Sequence, residues 1–252
     1  MSNERVAEAT NVEKFSQAAA GYGQGVVRSD LEALAAMAGD LRGKKLLDTA
    51  AGRGACALRM AAQGAEIYLA DLTHAMLAQG RSDVADGGPE FRATVARSGN
   101  LPFPRATFDV VTCSRAYHHL TDIPSALEEA CRVLKPGGRL LVVDHSGPDD
   151  PEAMHFANTV SKLRDDSHAE ALSPSRWRDV LADAGFDLRQ MQKVDSRQEF
   201  AALMEAAGDA APKIEELFDN ASPSVLEALG FDSSEPAGFA TVMVVFDAVS
   251  RA

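Results

Sequence analysis

Apolar residues follow two alternating rhythms along the middle of the chain. Short runs rich in aliphatic and β-branched residues predict strands at 44–49, 66–71, 90–95, 108–113 and 139–144. Between them, apolar positions spaced three and four apart predict helices through Leu58, Met60 and Ala61, over 73–81 and over 124–134. Pro136-Gly137-Gly138 stops the last of these before the next strand. Leu140-Leu141-Val142-Val143 is apolar without alternation, as suits a strand covered on both faces. A parallel connection needs a crossover, so strands alternating with helices predict an α/β fold, a doubly wound parallel sheet with helices on both sides.

The flanking regions are less regular. From 6 to 37 the apolar spacing predicts two short helices around a joint at Gly21, Gly23 and Gly25, which is suited to a mobile flap. Beyond Asp144 the pattern loosens through 172. A helix is then expected at 174–184, a strand near 188–194, helical segments at 199–206 and 212–218, and a last strand at 239–248. The stretches 207–212 and 232–238, rich in Gly, Ala, Asp, Ser and Pro, read as loops. This divides the chain into an N-terminal helical flap (1–42), a cofactor-binding core (43–146), a helical lid insertion (147–173), a core helix and strand (174–195), a helical insertion (196–236) and a final core strand (237–252).

Composition narrows the partners. In 252 residues, 46% are hydrophobic and 25% charged, an ordinary globular balance. The 37 acidic against 25 basic side chains give a formal charge of −12, which opposes binding to nucleic acid or an anionic membrane and favours a small-molecule substrate. Cys56, Cys113 and Cys131 lack metal-ligand spacing and sit in apolar stretches, so they are expected to be reduced packing residues, with no metal bound. No basic segment followed by an apolar run opens the chain, and no apolar stretch has the roughly 18 residues of a membrane span. The expectation is a cytoplasmic protein, monomeric or homodimeric.

The chemistry concentrates where the first strand should meet its helix, at Asp48-Thr49-Ala50-Ala51-Gly52-Arg53-Gly54. Glycines there let the backbone bend tightly and a ligand approach, and the helix N-terminus offers free N–H groups. Asp71 ends the second strand, where an acidic side chain can accept hydrogen bonds from ribose hydroxyls. Gly52-Arg53-Gly54-Ala55-Cys56-Ala57 formally satisfies the G-x-G-x-x-G/A dinucleotide fingerprint, so a nicotinamide oxidoreductase is one reading. Asp48 argues against it, because an aspartate beside a pyrophosphate repels it. The acid suits S-adenosylmethionine, which carries an ammonium and a sulfonium.

Leu46 to Gly54 resembles the first motif of the Rossmann-like class of S-adenosylmethionine-dependent methyltransferases, in the variant with alanine for the first glycine. Relatives of the ubiquinone/menaquinone-biosynthesis C-methyltransferases carry that variant. Leu101-Pro102-Phe103, Phe108-Asp109-Val110-Val111, His118-His119 and Arg132 to Arg139 follow in that family's order and spacing. The resemblance implies a seven-stranded, mostly parallel sheet with its last strand antiparallel. It also implies N-terminal helices and helical insertions covering an acceptor pocket. The turn with Asp48, Ala50, Gly52 and Gly54 would pack on the methionine part of the cofactor. Asp71 would bind the ribose, Leu72 and Met76 would flank the adenine, and Ser114 would lie near the reaction centre. Tyr22, Ser98 and Gly99 complete the candidate cofactor set. Arg97 departs from the family, which has an aspartate there to pair with the adenine amino group. Arginine cannot accept a hydrogen bond, so either Ser98, Asn100 and the backbone take over, or adenine is bound more weakly, or the ligand differs.

Methyl transfer from a sulfonium is an in-line displacement that depends on alignment and exclusion of water, with a base needed only where the nucleophile keeps a proton. Tyr22, Tyr117, His118, His119, Arg164 and His168 are the candidates for surrounding the acceptor. His119 comes first for orienting or deprotonating it, because it follows the fourth strand on the ligand side of such sheets. A fainter similarity to methyltransferases with a helical segment after the fifth strand covers Lys162 to His168 and Trp177. Three readings therefore stand: a methyltransferase of secondary metabolism acting on O, N, C or S of a small molecule; a protein that binds the same cofactor without transferring methyl; and a nicotinamide enzyme.

Overall fold

The computed structural model describes residues 3–21, 28–84, 88–234 and 237–251. Five strands run parallel: β1 (Lys45–Thr49), β2 (Glu66–Asp71), β3 (Phe91–Val95), β4 (Phe108–Ser114) and β5 (Leu134–Ser146). With β6 (Phe186–Glu199) and β7 (Gly238–Ser250) they form one seven-stranded sheet in the order β3-β2-β1-β4-β5-β7-β6. β7 is antiparallel to both of its neighbours. The winding direction reverses between β1 and β4, which leaves a crevice at the carboxyl ends of those strands.

Side-chain alternation divides the core. Leu46, Val110, Leu141, Val143 and Val245 pack on one face, with α2 (Ser29–Ala38), α3 (Ala55–Ala61) and α4 (His74–Asp83). Leu47, Val111, Leu140, Val142 and Phe246 pack on the other, with α5 (Ile123–Val133) and α7 (Pro174–Asp183). Each such side chain contributes about 1.5–3 kcal/mol by leaving water. Arg139 spans β5 and β7: it pairs with Asp247 at 3.0 Å and donates to the carbonyls of Met37 and Ala38 at 2.7 and 2.8 Å, which caps α2. Asp122 caps α5 by accepting from the amide of Ser125 at 3.0 Å.

Two segments differ from the expectation. β5 already begins at Leu134, which pairs with Phe108; the register then shifts across Pro136-Gly137-Gly138 before Arg139 pairs with Val110. The 207–212 stretch is helical, because its alanines continue the helical path from α8 (Phe200–Ala207) through a 3-10 turn into α9 (Ala211–Asp219). The segment after β5 forms α6 (Pro151–Arg164), which packs with α8, α9 and α10 (Pro223–Ala228) into a side lobe. Phe156, Phe200 and Phe218 meet edge to face in the lobe, at centroid distances of 5.0 and 4.9 Å. α1 (Asn3–Ala18) has no fully buried side chain among those described and lies over α4.

Gly54 fixes how closely the first turn sits on the sheet. Its φ of 83° is left-handed, and a Cβ there would lie 2.8 Å from Leu69 Cδ1. Gly54→Ala is expected to lower the unfolding free energy by about 2 kcal/mol in the absence of ligand, read by urea denaturation.

Candidate active site

The crevice holds a cavity of about 730 Å³, walled by the ends of β1, β2 and β4, the start of α3, the residues after β3 and one side of α1. Ala50 (φ 47°) and Gly52 (φ 56°) bend the chain through left-handed conformations, so an alanine occupies a position that glycine would take without strain. The bend is tied to β2: the Gly52 amide donates to Asp71 Oδ2 at 2.7 Å, and the Thr73 amide donates to Asp71 Oδ1 at 2.7 Å. Burial raises the pKa of Asp71 while the two amides pull it back. A carboxylate has about four lone-pair sites, so this one retains capacity for ligand hydroxyls.

Asp48 lies deeper, 1% exposed. Thr112 Oγ1 donates to it at 2.7 Å and the Ala57 amide at 3.3 Å. Burial, with a smaller contribution from the Asp71 charge, nevertheless pushes it up to about 7. At the far end of the cavity Arg28 donates to Ser114 Oγ at 2.7 Å and pairs with Asp30, which Arg115 also contacts at 3.0 Å. The two guanidiniums hold the buried Asp30 below the ordinary carboxylate range despite its desolvation.

His119 occupies the wall between these regions. Its Nδ1 lies 3.1 Å from the Ser167 carbonyl and 3.2 Å from Ser167 Oγ, whose own hydrogen goes to Asp165 at 2.5 Å. Both neighbours of Nδ1 accept, so Nδ1 carries the proton and Nε2 is left as an acceptor. Burial, then the adjacent His118, lowers its pKa to about 4. Phe15 of α1 meets the ring edge to face at 5.2 Å.

Behind this wall His118 Nδ1 bonds Asp144 at 2.5 Å, and the other Asp144 oxygen accepts from the His118 amide at 3.2 Å. His145 and His168 surround His118 at centroid distances of 4.6 and 5.6 Å. Burial above all lowers them to about 3 and about 4. Among the described residues no three of His, Cys, Asp or Glu are arranged to hold a metal ion, and no helix is long and apolar enough to cross a membrane.

Asp48, Ala50, Gly52, Asp71, Leu72, Met76, Ser98, Gly99, Ser114 and His119 all line the cavity. Gly54 does not line it and serves helix packing instead. Four expected acceptor residues do not reach it. Tyr117 is buried against Trp177 at 5.3 Å, and His118 is turned into the core by Asp144. His168 bonds Asn158 at 2.8 Å, and Arg164 is exposed at the end of α6. Tyr22 lies outside the described residues. No residue of the α6 and α8–α10 lobe lines the cavity; among the described residues α1 lies across it. Glu8, Asn11, Phe15, Arg28 and Arg115 line it without having been singled out from the sequence. The charge immediately after Ser114 was the available signal for Arg115.

A methyltransferase domain family matches residues 47–142. The methyltransferase YcgJ of Bacillus subtilis, itself uncharacterised, is 31% identical over 185 residues, covering 73% of each chain. The crystal structure of YcgJ superposes with a TM-score of 0.81 at 27% identity, covering 90% of this chain and all of that one. The chain belongs to the S-adenosylmethionine-dependent methyltransferases. The Ubiquinone/menaquinone biosynthesis C-methyltransferase UbiE of Cereibacter sphaeroides is 42% identical over 113 residues, which span 43% of this chain and 45% of that protein. Membership overturns the nicotinamide reading.

The residues of this methyltransferase fit its cofactor. A buried carboxylate at the first turn, raised by desolvation and in need of a counter-charge, faces the same cavity as one at the end of β2 with spare acceptor capacity. Unfolded, Asp48 ionises near 3.9. Folded, it holds its proton to about 7, so the folded state loses stability as pH rises between those values and stays penalised above them. Without cofactor, Asp48→Asn is expected to be more stable than the native chain at pH 8.5, by an amount on the order of 2–4 kcal/mol, and by about half as much at pH 5.5. It should also bind S-adenosylmethionine at least about tenfold more weakly at pH 8.5. Melting curves and calorimetric titration at both pH values check this.

Proposed function

We propose that the enzyme methylates a small, largely apolar acceptor that presents a proton-bearing nucleophile, of the phenol or quinol kind, to His119. The observation that carries this is the state of that imidazole: on the cavity wall, with Nδ1 tied to Ser167 and Nε2 left to accept. Val12, Phe15, Ala116 and Leu120 supply an apolar wall beside it. The kinship with UbiE, a protein named for quinone biosynthesis, is in keeping with such a ring.

When bound, S-adenosylmethionine supplies a sulfonium-borne methyl group open to in-line displacement. Asp48 would meet the cationic amino acid end, Arg28 beside Ser114 would suit its carboxylate, and Asp71 would take the ribose hydroxyls. The wall formed by α1 keeps water from the acceptor. His119 Nε2 would accept a hydrogen bond from the acceptor hydroxyl, aim the acceptor oxygen's lone pair at the methyl carbon, and take the hydroxyl proton as the O–C bond forms and the C–S bond breaks, with the thioether S-adenosylhomocysteine leaving. With a pKa of about 4 the imidazolium then yields that proton readily to water. Asp144 and His118 hold the turn that carries His119.

His119→Ala is expected to cut kcat at least about tenfold while the dissociation constant for S-adenosylmethionine is unchanged. Because His119 is neutral above its lowered pKa, native turnover should show no loss from its protonation down to about pH 5. Transfer of labelled methyl to a panel of phenols and quinols measures both. Full turnover by the variant would remove His119 from the chemistry.

A further inference from the structure

α1 crosses the cavity and is fastened there by polar contacts. Lys14 pairs with Asp165 at 2.7 Å and with Asp166, and Asn11 donates to the His119 carbonyl at 3.5 Å. Arg97, just past β3, grips Glu8 with two prongs, Nε on Oε1 at 2.7 Å and Nη2 on Oε2. Both residues line the cavity at the end that also contains Leu72, Met76 and Ala96.

That end adjoins Asp71. A carboxylate at the end of the second strand takes the ribose hydroxyls, so the base of the adenosyl group falls among Leu72, Met76 and Ala96. These side chains offer the ring apolar contact but no acceptor for its exocyclic amino group, and Arg97 can only donate. Of the other cavity carboxylates, Asp48 lies at the turn, Asp71 has its remaining lone pairs directed to the ribose, Asp83 pairs with Arg53, and Asp122 caps α5 from an exposed position; Ser98 and Asn100 also line the cavity but carry no charge. Glu8 has two of its roughly four lone-pair sites occupied by Arg97 and is brought to the slot by α1.

We infer that Glu8 is the adenine-recognising side chain: its carboxylate, held by Arg97, accepts a hydrogen bond from the 6-amino group. α1 thus gains a further contact when the bound base carries that group. Arg97 is a positioning residue in this arrangement. The inference rests on the cofactor assignment and adds to it a specificity element located on the flap.

The test compares S-adenosylhomocysteine with S-inosylhomocysteine, which has an oxygen in place of the amino group, by calorimetric titration. The native protein should prefer the adenosyl compound at least about tenfold, the worth of a hydrogen bond to a charged acceptor. Glu8→Ala should bring the two affinities within about threefold, chiefly by weakening the adenosyl compound. Glu8→Gln, which keeps an acceptor oxygen, should retain part of the preference, and Asp122→Asn all of it. Amide hydrogen exchange supplies an independent readout: S-adenosylhomocysteine should slow exchange in α1 more than the inosyl compound does, and Glu8→Ala should erase the difference. A preference that survives in Glu8→Ala, or disappears in Asp122→Asn, overturns the role of Glu8 and leaves the cofactor assignment intact. Failure of the native protein to bind S-adenosylhomocysteine overturns both.

Discussion

One hydrogen bond organises the ligand side of this molecule: the Gly52 amide donating to Asp71. It ties the turn after β1 to the end of β2, so two segments that a ligand must address together are already locked before any ligand arrives. The neighbouring geometry follows from it. Gly54 can let α3 settle on Leu69 only if the turn is held, and Asp71 can present its remaining lone pairs only if its amide partners fix the plane of the carboxylate. Preorganisation of this kind removes ordering costs from the binding step.

Charge along the cavity is graded. Two carboxylates flank the turn, both raised by burial, while guanidiniums flank Ser114. A zwitterionic amino acid with an additional cationic sulfur complements such a gradient along its length. A ligand with a pyrophosphate would be repelled at the turn. The same residues thus favour one ligand class and disfavour another, which is how specificity is commonly built.

Much of the sheet was legible in the sequence because buried parallel strands are apolar throughout, as in Leu140 to Val143, and helices between them keep an apolar stripe. The cofactor side was legible for a related reason: Asp48, Gly52 and Asp71 stand at strand ends, where topology alone brings them to one crevice. The acceptor side was not. Tyr117, His118 and His119 are consecutive in a 3-10 turn, and although the two imidazoles lie 4.0 Å apart, only His119 reaches the cavity. Which of the three faces outward depends on Asp144 and Trp177, both remote in sequence. α1 was foreseen as a flap, but which of its side chains line the cavity was not, because its contacts are polar and its partners, Arg97 and Asp165, are distant along the chain. The helical insertions suggested a cover, yet their phenylalanines seek one another and form a lobe away from the crevice.

The fastening of α1 has a consequence for how the enzyme meets its medium. Lys14, Asp165, Asp166 and Arg97 all retain appreciable solvent contact. Mobile counterions screen such pairs over about 10 Å at 0.1 M ionic strength. Screening weakens such pairs as salt rises, so the hold of α1 on the cavity slackens with ionic strength, whereas the aliphatic contacts of the core have no charge to screen.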